Sequence, residues 1–358
     1  MLVDAQGSTE ASDMDNETLS MRLGEAWEHI DGQVLPIVNP HPLTDGDGTE
    51  QSPYLISSID DWNKFATNVY LGESYRGKYF QMTKDISVGR LVGTYPGGDV
   101  YHAFEGTFDG GGHTLTFNYI TDAEFCGPFC YTYGATIKNL ITTGTITTSK
   151  KHAGGVVGRN GTGRLTLSNV TSSMTINSTH RGSAEHGGLV GYAINADIIG
   201  CAFTGSLLGE NSTGCSGLIG WKTNTDNSSA NITDCFYAPT NVTVGSTNAY
   251  CLVRNSSGGV VNVTNSYYTQ ALGTVQGKHA HSITAGEYVS IMNAGESTEY
   301  GISGIKSYGV GISHNDVLYA GKGDVVSLIP RQRWWTAGRL RIRGRQALRV
   351  CHRPRWHI

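Results

Sequence analysis

Two short elements recur along this chain in a fixed order and at one period, and this doubled repeat limits the possible folds more than any other feature. The first element reads Gly155-Val156-Val157-Gly158, Gly188-Leu189-Val190-Gly191 and Gly217-Leu218-Ile219-Gly220, flanked by the looser copies Gly127-Pro128-Phe129-Cys130 and Cys251-Leu252-Val253-Arg254. Its copies start 28, 33, 29 and 34 residues apart. The second reads Ile137-Lys138-Asn139-Leu140, Leu167-Ser168-Asn169-Val170, Ile198-Ile199-Gly200-Cys201, Ile232-Thr233-Asp234-Cys235 and Val263-Thr264-Asn265-Ser266, at steps of 30, 31, 34 and 31. Two independent elements sharing a period near 31 define a true repeat.

Each unit holds two short β-branched runs with period-two alternation, separated by Gly, Asn, Asp and Ser, which is the pattern of strands and turns. The 48 glycines and a charged fraction of only 16% disfavour helix further. A unit this short cannot bury its apolar face alone, so neighbours must stack around one core. Stacking places Val156, Leu189 and Leu218 in a shared interior and sets Cys201 over Cys235 at the ordinary strand spacing of about 4.8 Å. The motif glycines Gly155, Gly158, Gly188, Gly191, Gly217 and Gly220 are structural: they stand where strands turn or approach too closely for a side chain. The expected fold is all-β, a parallel β-helix of about five coils of ~31 residues. A propeller blade would need roughly 40–50 residues. A leucine-rich repeat would need a leucine consensus and an asparagine ladder, and neither is evident in the sequence.

A solenoid end needs a cap. Residues 51–78 supply a helical one, with Ser58 as N-cap, Asp61 at the third helical position, and Ile59, Trp62, Phe65, Ala66 and Val69 on one face. Residues 79–270 are the expected solenoid, with Phe104 to Leu115 as its first coil. Residues 1–50 read as the end of a preceding module, a helix end and a hairpin around Asp31-Gly32, or a poorly ordered stretch. Residues 271–330 read as short β elements opening a following module. The last segment, 331–358, breaks the composition with nine arginines and no acid. It reads as a disordered basic tail or, preferably, as sequence translated out of frame, and in either case as lying outside the folded unit.

The Gly-Leu-Val-Gly and Gly-Leu-Ile-Gly units resemble the GLUG motif of bacterial surface and secreted proteins, adhesin-like proteins and regions beside immunoglobulin A peptidases among them. The segment Phe104 to Leu115 and residues 54–66 resemble the coil and helical start that precede such arrays, so that the resemblance covers roughly 51–270. It implies a right-handed parallel β-helix and an extracellular or cell-surface setting, and names no single ligand. Cys130 and Arg254 depart from the family's closing glycine.

The tail carries +9 of a net −4, so residues 1–330 carry −13, which argues against a nucleic-acid partner. No apolar run approaches the roughly 18 residues of a membrane helix. The start lacks a basic n-region and an apolar core, so no signal peptide is encoded here, and both ends read as cut from a longer chain. The seven cysteines include no C-x-x-C pair and read as buried, unreactive thiols. The chain has no His-Glu-x-x-His, Gly-x-Ser-x-Gly or Walker loop, and it calls for no cofactor, metal or catalytic residue.

β-Helix glycan lyases and hydrolases use clustered carboxylates, for which Asp85, Asp99, Glu105, Asp109 and His113 are the candidates. The plainer reading makes Asp109 a turn residue and Glu105 a solvated strand position. His152, His180 and His186 read as loop residues. The ten Asn-x-Ser/Thr sites, Asn169, Asn231 and Asn262 among them, read as turn and ladder residues of the repeat. The functional expectation is a non-catalytic surface or secreted module, adhesin-like or a stalk, exposing a polar Thr/Asn/Ser face to a host glycan or protein. The alternatives are a carbohydrate-active β-helix enzyme and a pure spacer.

Overall fold

A computed structural model describes residues 15–279, apart from 24–25, 98–99, 224–227 and 256–258, together with the short strands Leu2–Asp4, Gly7–Thr9, Val317–Leu318 and Arg341–Ile342. Most of 271–330 and of the arginine-rich segment 331–358 therefore lies outside the described residues.

The repeat folds as a parallel β-solenoid with three sheets. In each turn the first element forms a strand of what we call the motif sheet: Phe129–Thr132, Val157–Asn160, Val190–Ala193, Ile219–Lys222 and Val253–Asn255. The second element forms the long sheet, which runs Tyr54–Ile56, Tyr79–Met82, Thr107–Asp109, Thr136–Lys138, Arg164–Ser168, Asn195–Ile199, Ser229–Thr233 and Val260–Thr264. A wide sheet of eleven strands closes each turn, led by Ile86–Val88, Thr114–Thr121 and Ile141–Thr148.

The long sheet has eight strands and the solenoid about seven turns, more than the five coils expected. The first coil is not Phe104 to Leu115, because Tyr79–Met82 and Ile86–Val88 already stack beneath it. These early turns lack the glycine motif and are packed with rings instead. Phe80, Phe104, Phe108 and Phe129 meet Trp62 and Phe65 of the cap helix, with Phe65 and Phe80 centroids 4.3 Å apart. Further along, Val156, Leu189 and Leu218 are fully buried in one continuous core, as the period predicts.

The cap helix spans Ile59–Tyr70. Ser58 Oγ accepts the Asp61 amide at 3.2 Å, and the Asp61 carboxylate reaches back to the Ser57 amide at 2.9 Å, so the first turn is capped from both directions. Trp62, Phe65, Ala66 and Val69 are buried against the solenoid and Ile59 is half-buried. The opposite side of the helix is buried as well. Asn63 donates to the His29 carbonyl at 2.9 Å and Thr67 to Glu28 at 2.6 Å, docking the hairpin Trp27–Ile30/Gln33–Pro36 across the end of the solenoid. Asp31 and Gly32 turn that hairpin in left-handed conformations.

One sequence expectation fails at the corner that follows the long sheet. Asn139, Asn169, Asp234 and Asn265 occupy the left-handed region there, with φ of 52°, 56°, 55° and 45°, and Gly200 takes the same place in the turn between. Their side chains do form an asparagine ladder. Asn169 donates to Asn139 at 3.2 Å, Asn139 to Asp109 at 3.1 Å, and Asn265 to Asp234 at 2.6 Å. The alternation of Asn, Gly and Asp at this position hides the ladder in the sequence, since each of the three tolerates the left-handed backbone.

The six described cysteines are free and buried. Burial, together with the neighbouring Cys201, raises the Cys235 thiol well above its ordinary value, as expected of an inert core ladder.

Candidate functional site

The carboxylates named from sequence do not converge. Asp109 is the turn residue: Oδ1 accepts the Gly111 amide at 2.8 Å and the Asn139 amide at 3.1 Å, while Lys138 Nζ lies 3.4 Å from Oδ2. Glu105 lies outside any strand, and its side chain is only 16% exposed in a pair with Arg76, so the solvated-strand reading is corrected. Asp85 meets His113 at 3.2 Å on open surface, and Asp99 lies outside the described residues.

The histidines correct the sequence reading more sharply. His180 is a half-exposed loop residue whose Nδ1 bonds the Ser149 carbonyl. His186 is fully buried. Its Nδ1 accepts the Ala153 amide at 3.0 Å, so Nε2 carries the proton toward Ser178 Oγ at 2.8 Å, and burial pushes its pKa down to about 3. His152 is also buried. It lies parallel to the Phe125 ring at 5.0 Å, and burial lowers its pKa to about 4 although Glu185 stands 3.3 Å away.

The motif glycines explain how these loop residues are brought in. Phe125, His152 and Glu185 each precede a motif copy in the left-handed region, with φ of 64°, 64° and 59°. Their carbonyls press on the closing glycines of the motif. A Cβ at Gly158, Gly191 or Gly220 would fall 2.1, 2.0 or 2.1 Å from the carbonyl oxygen of Phe125, His152 or Glu185. The opening glycines face the adjacent turn, where a Cβ at Gly155, Gly188 or Gly217 would fall 2.3, 2.2 or 2.1 Å from the next turn's carbonyl. The missing side chains let the loop fold flat on the sheet and stack its own side chains outside it. Non-glycine residues in this region cost about 1–3 kcal/mol each and persist only where their surroundings hold them.

Arg254 stands where the last motif copy lacks its closing glycine, and it reaches into this stack. It donates to Ser183 Oγ at 2.8 Å, lies 3.1 Å from Glu185 and rests 4.5 Å over the Trp221 ring. Burial works against ionising Glu185, but the Ser183 hydroxyl with His152, Lys151 and Arg254 outweighs it, and the carboxyl is held below its ordinary range. The cluster thus contains one carboxylate, already ionised. Glycoside cleavage needs a second carboxyl group and a raised acid, which this arrangement does not supply.

Beside the cluster, the residues just after the first four motif copies form a row, in which Tyr131 is buried and Arg159, Tyr192 and Trp221 are half-buried. Tyr131, Arg159, Tyr192 and Trp221 stand in register on successive strands. The Arg159 guanidinium lies 4.2 Å from the Tyr95 ring centroid, 4.5 Å from Tyr192, 4.8 Å from Phe125 and 5.8 Å from Tyr131. Tyr95 and the exposed Tyr101 come from the hairpin Thr94–Gly97/Val100–His102, and Tyr101 stacks on Tyr133. Sequence reasoning missed this row, although one signal was present: the position after the closing residue carries a ring or an arginine in each of the first four copies.

The long sheet has a different exterior. Thr107, Thr136, Thr166, Asp197, Asn231 and Asn262 pair strand to strand as one polar file. Asn262 donates to Asn231 at 2.8 Å, Asn231 to Asp197 at 2.7 Å, and Arg164 to Asp197 at 2.8 Å. Asn169 is buried in its corner, whereas Asn231 and Asn262 lie on this face. Among the described residues no group of three or more His, Cys, Asp or Glu side chains is placed to hold a metal ion, and no helix is long and apolar enough to cross a membrane.

No family model matches the chain, and no curated protein matches it. Among solved structures the chain is similar to one described as a "putative immunoglobulin A1 protease" from Bacteroides ovatus. The two share 18% identity and a TM-score of 0.48, over 70% of this chain and 89% of that one.

Proposed function

We propose that this chain is a non-catalytic binding module of a surface-displayed or secreted repeat protein, taking a host glycan or protein against the outside of its solenoid. The observation that supports this reading is the polar file on the long sheet. It offers the same kinds of hydrogen-bonding group once per turn, over six strands, at the strand spacing of about 4.8 Å. Hydrogen bonds along the file hold Asp197, Asn231 and Asn262 in place before any ligand arrives, which lowers the entropy lost on binding. The resemblance of the glycine units to GLUG repeats agrees with an extracellular setting.

The test is an array of glycans and extracellular host proteins probed with the purified chain. Retention of at least one ligand, weakened in the double variant Asp197→Ala/Asn231→Ala, supports the reading. Shortening of any polysaccharide during the incubation, lost in Asp109→Ala or Glu105→Gln, would replace it with the enzymatic alternative. Binding to nothing leaves the spacer reading in its place.

A further inference from the structure

Arg159 has no carboxylate among its described contacts. Its half-buried guanidinium is bordered by the rings of Tyr95, Phe125, Tyr131 and Tyr192, and its Nε is buried without a hydrogen-bond partner. In the neighbouring cluster Lys151 and Arg254 both pair with the single carboxylate of Glu185, which leaves one positive charge in excess beside Arg159 while His152 is neutral, on a chain that is otherwise acidic up to residue 330. Besides the rings, only the neutral Tyr131 hydroxyl accepts from the guanidinium among the described contacts, and rings are a weak counterpart for a cation, at about 0.5–2 kcal/mol. A carboxylate or sulfate accepting from the guanidinium in a forked pair supplies more, and with defined geometry.

The surroundings of Arg159 indicate what carries that anion. Tyr131, Arg159, Tyr192 and Trp221 come from consecutive strands, so the flat groups advance along the solenoid one turn at a time. They are held rigidly by Phe125, His152, Glu185 and Arg254. A straight row at constant spacing suits a linear repeating ligand better than the curved surface of a folded protein. Pyranose rings present apolar C–H faces to aromatic rings and hydroxyls at their edges, the combination of flat apolar and sparse polar contact that such sites use.

We propose that the outer face of the motif sheet binds an acidic linear glycan, with a carboxylate or sulfate on Arg159 and sugar faces on Tyr192 and Trp221. The proposal rests on the reading of the chain as a binding module, and adds to the polar file of the long sheet a second face, on the motif sheet, with its own ligand class. It predicts selection by local charge despite the net negative body, since at ordinary ionic strength charges beyond about 8 Å are largely screened.

The test uses the full chain in titration calorimetry against polygalacturonate and chondroitin sulfate, with neutral dextran as control. Expected are binding to at least one acidic polymer, weakening as salt rises, and no binding to dextran. Arg159→Gln should weaken binding by roughly tenfold or more, and Trp221→Ala by a similar factor. Arg159→Lys, which keeps the charge but loses the fork, should fall between Arg159→Gln and the native chain. If Arg159→Gln alters the melting curve, Arg159→Lys and Trp221→Ala decide the outcome. Equal binding of dextran, or unchanged affinity in Arg159→Lys and Trp221→Ala, overturns the proposal. Binding lost only in Asp197→Ala/Asn231→Ala overturns this site but keeps the binding-module reading. A chain that binds none of these polymers yet retains another ligand on the array likewise sinks only the acidic-glycan site, whereas binding nothing at all fails both.

Discussion

The first turns of the solenoid and the motif turns reach the same cross-section by different means. From Tyr54 to Phe129 the interior is filled by Phe80, Phe104, Phe108 and Phe129, closed by Trp62 and Phe65 of the cap helix. From Val156 to Leu252 it is filled mainly by Val, Leu, Ile, Ala and Cys, with the stacked rings of Phe203 and Tyr237 among them, and further rings lie outside the core, where Phe125, His152, Tyr192 and Trp221 gather. Rings inside make a stiff end that resists fraying; glycines in the strand let a loop lie against the sheet and build a surface. The first arrangement caps the core and the second presents side chains.

The largest expected effect lies at the capped end. Trp62 touches Phe65, Phe108 and Phe129 and donates to the Arg90 carbonyl, so Trp62→Ala removes a packed ring and an internal hydrogen bond together. The loss should be about 3–5 kcal/mol in chemical denaturation. A loss below about 1 kcal/mol would mean that the helix is an appendage rather than a cap.

Acid should act first on the motif turns. His152 and His186 are held neutral, with pKa values lowered to about 4 and about 3 from 6.5. The unfolded chain takes up their protons around 6.5 and the folded chain only near 4 and 3, so the stability they contribute is present above about 6.5 and falls as pH drops, down to about 4 for His152 and about 3 for His186. At pH 5 the loss is on the order of 2 kcal/mol for each imidazole. The cap works in a lower window. Burial opposes ionisation of Asp61, but the Ser57 and Ser58 groups outweigh it and lower its pKa below 3.8, so its contribution is lost only under more acidic conditions. Hydrogen exchange at pH 5 should open the loops around 152 and 186 before the cap; the reverse order would contradict this assignment.

Gly188→Ala tests the strand glycines directly. The new methyl would meet the Gly217 carbonyl at 2.2 Å and the Phe203 ring at 2.3 Å, and two packed neighbours would have to shift. A loss of about 1–3 kcal/mol is expected. Gly182, around which an added Cβ meets nothing within 4 Å, serves as the control, where only its φ of +91° opposes a side chain. Strain of about 1–3 kcal/mol is expected at Gly182 for that reason alone, whereas Gly188 has no left-handed backbone to strain; a loss below about 1 kcal/mol at Gly188 would mean that close approach is not why the motif requires glycine.

What the sequence revealed follows the same division. The period placed Val156, Leu189 and Leu218 inside and Cys201 over Cys235, because apolar alternation survives in every motif turn. The early turns were undercounted because Phe80 and Phe108 fill their interior without the glycine marker. His152 and His186 looked like ordinary loop residues because their burial depends on a neighbouring turn some thirty residues away, which short-range pattern does not encode. Arg254 looked like a decayed glycine; its partners Glu185, Ser183 and Trp221 lie on three other strands and loops. The acid candidates Asp109 and Glu105 were drawn together only by sequence proximity, and each is engaged separately.

The smallest expected effect concerns the corner ladder, and it separates the two jobs that asparagine does there. Asn169 holds φ at 56° and passes a hydrogen bond to Asn139. Asn169→Gly keeps the backbone and loses the amide, which should cost about 1 kcal/mol. Asn169→Ala loses the amide and adds left-handed strain, a further 1–2 kcal/mol or so. In the next turn Gly200 already holds the corner at 59° with no amide to offer, and the ladder breaks between Asn169 and Asp234. Gly200→Asn should therefore be neutral or stabilising by up to about 1 kcal/mol, because asparagine accepts this backbone and can bridge both neighbours. Thermal melts of the three variants rank the terms. If alanine and glycine at 169 melt together, backbone strain is absent and the ladder alone holds the corner; if Gly200→Asn destabilises, it is the strand geometry that selects glycine there and the ladder contributes little.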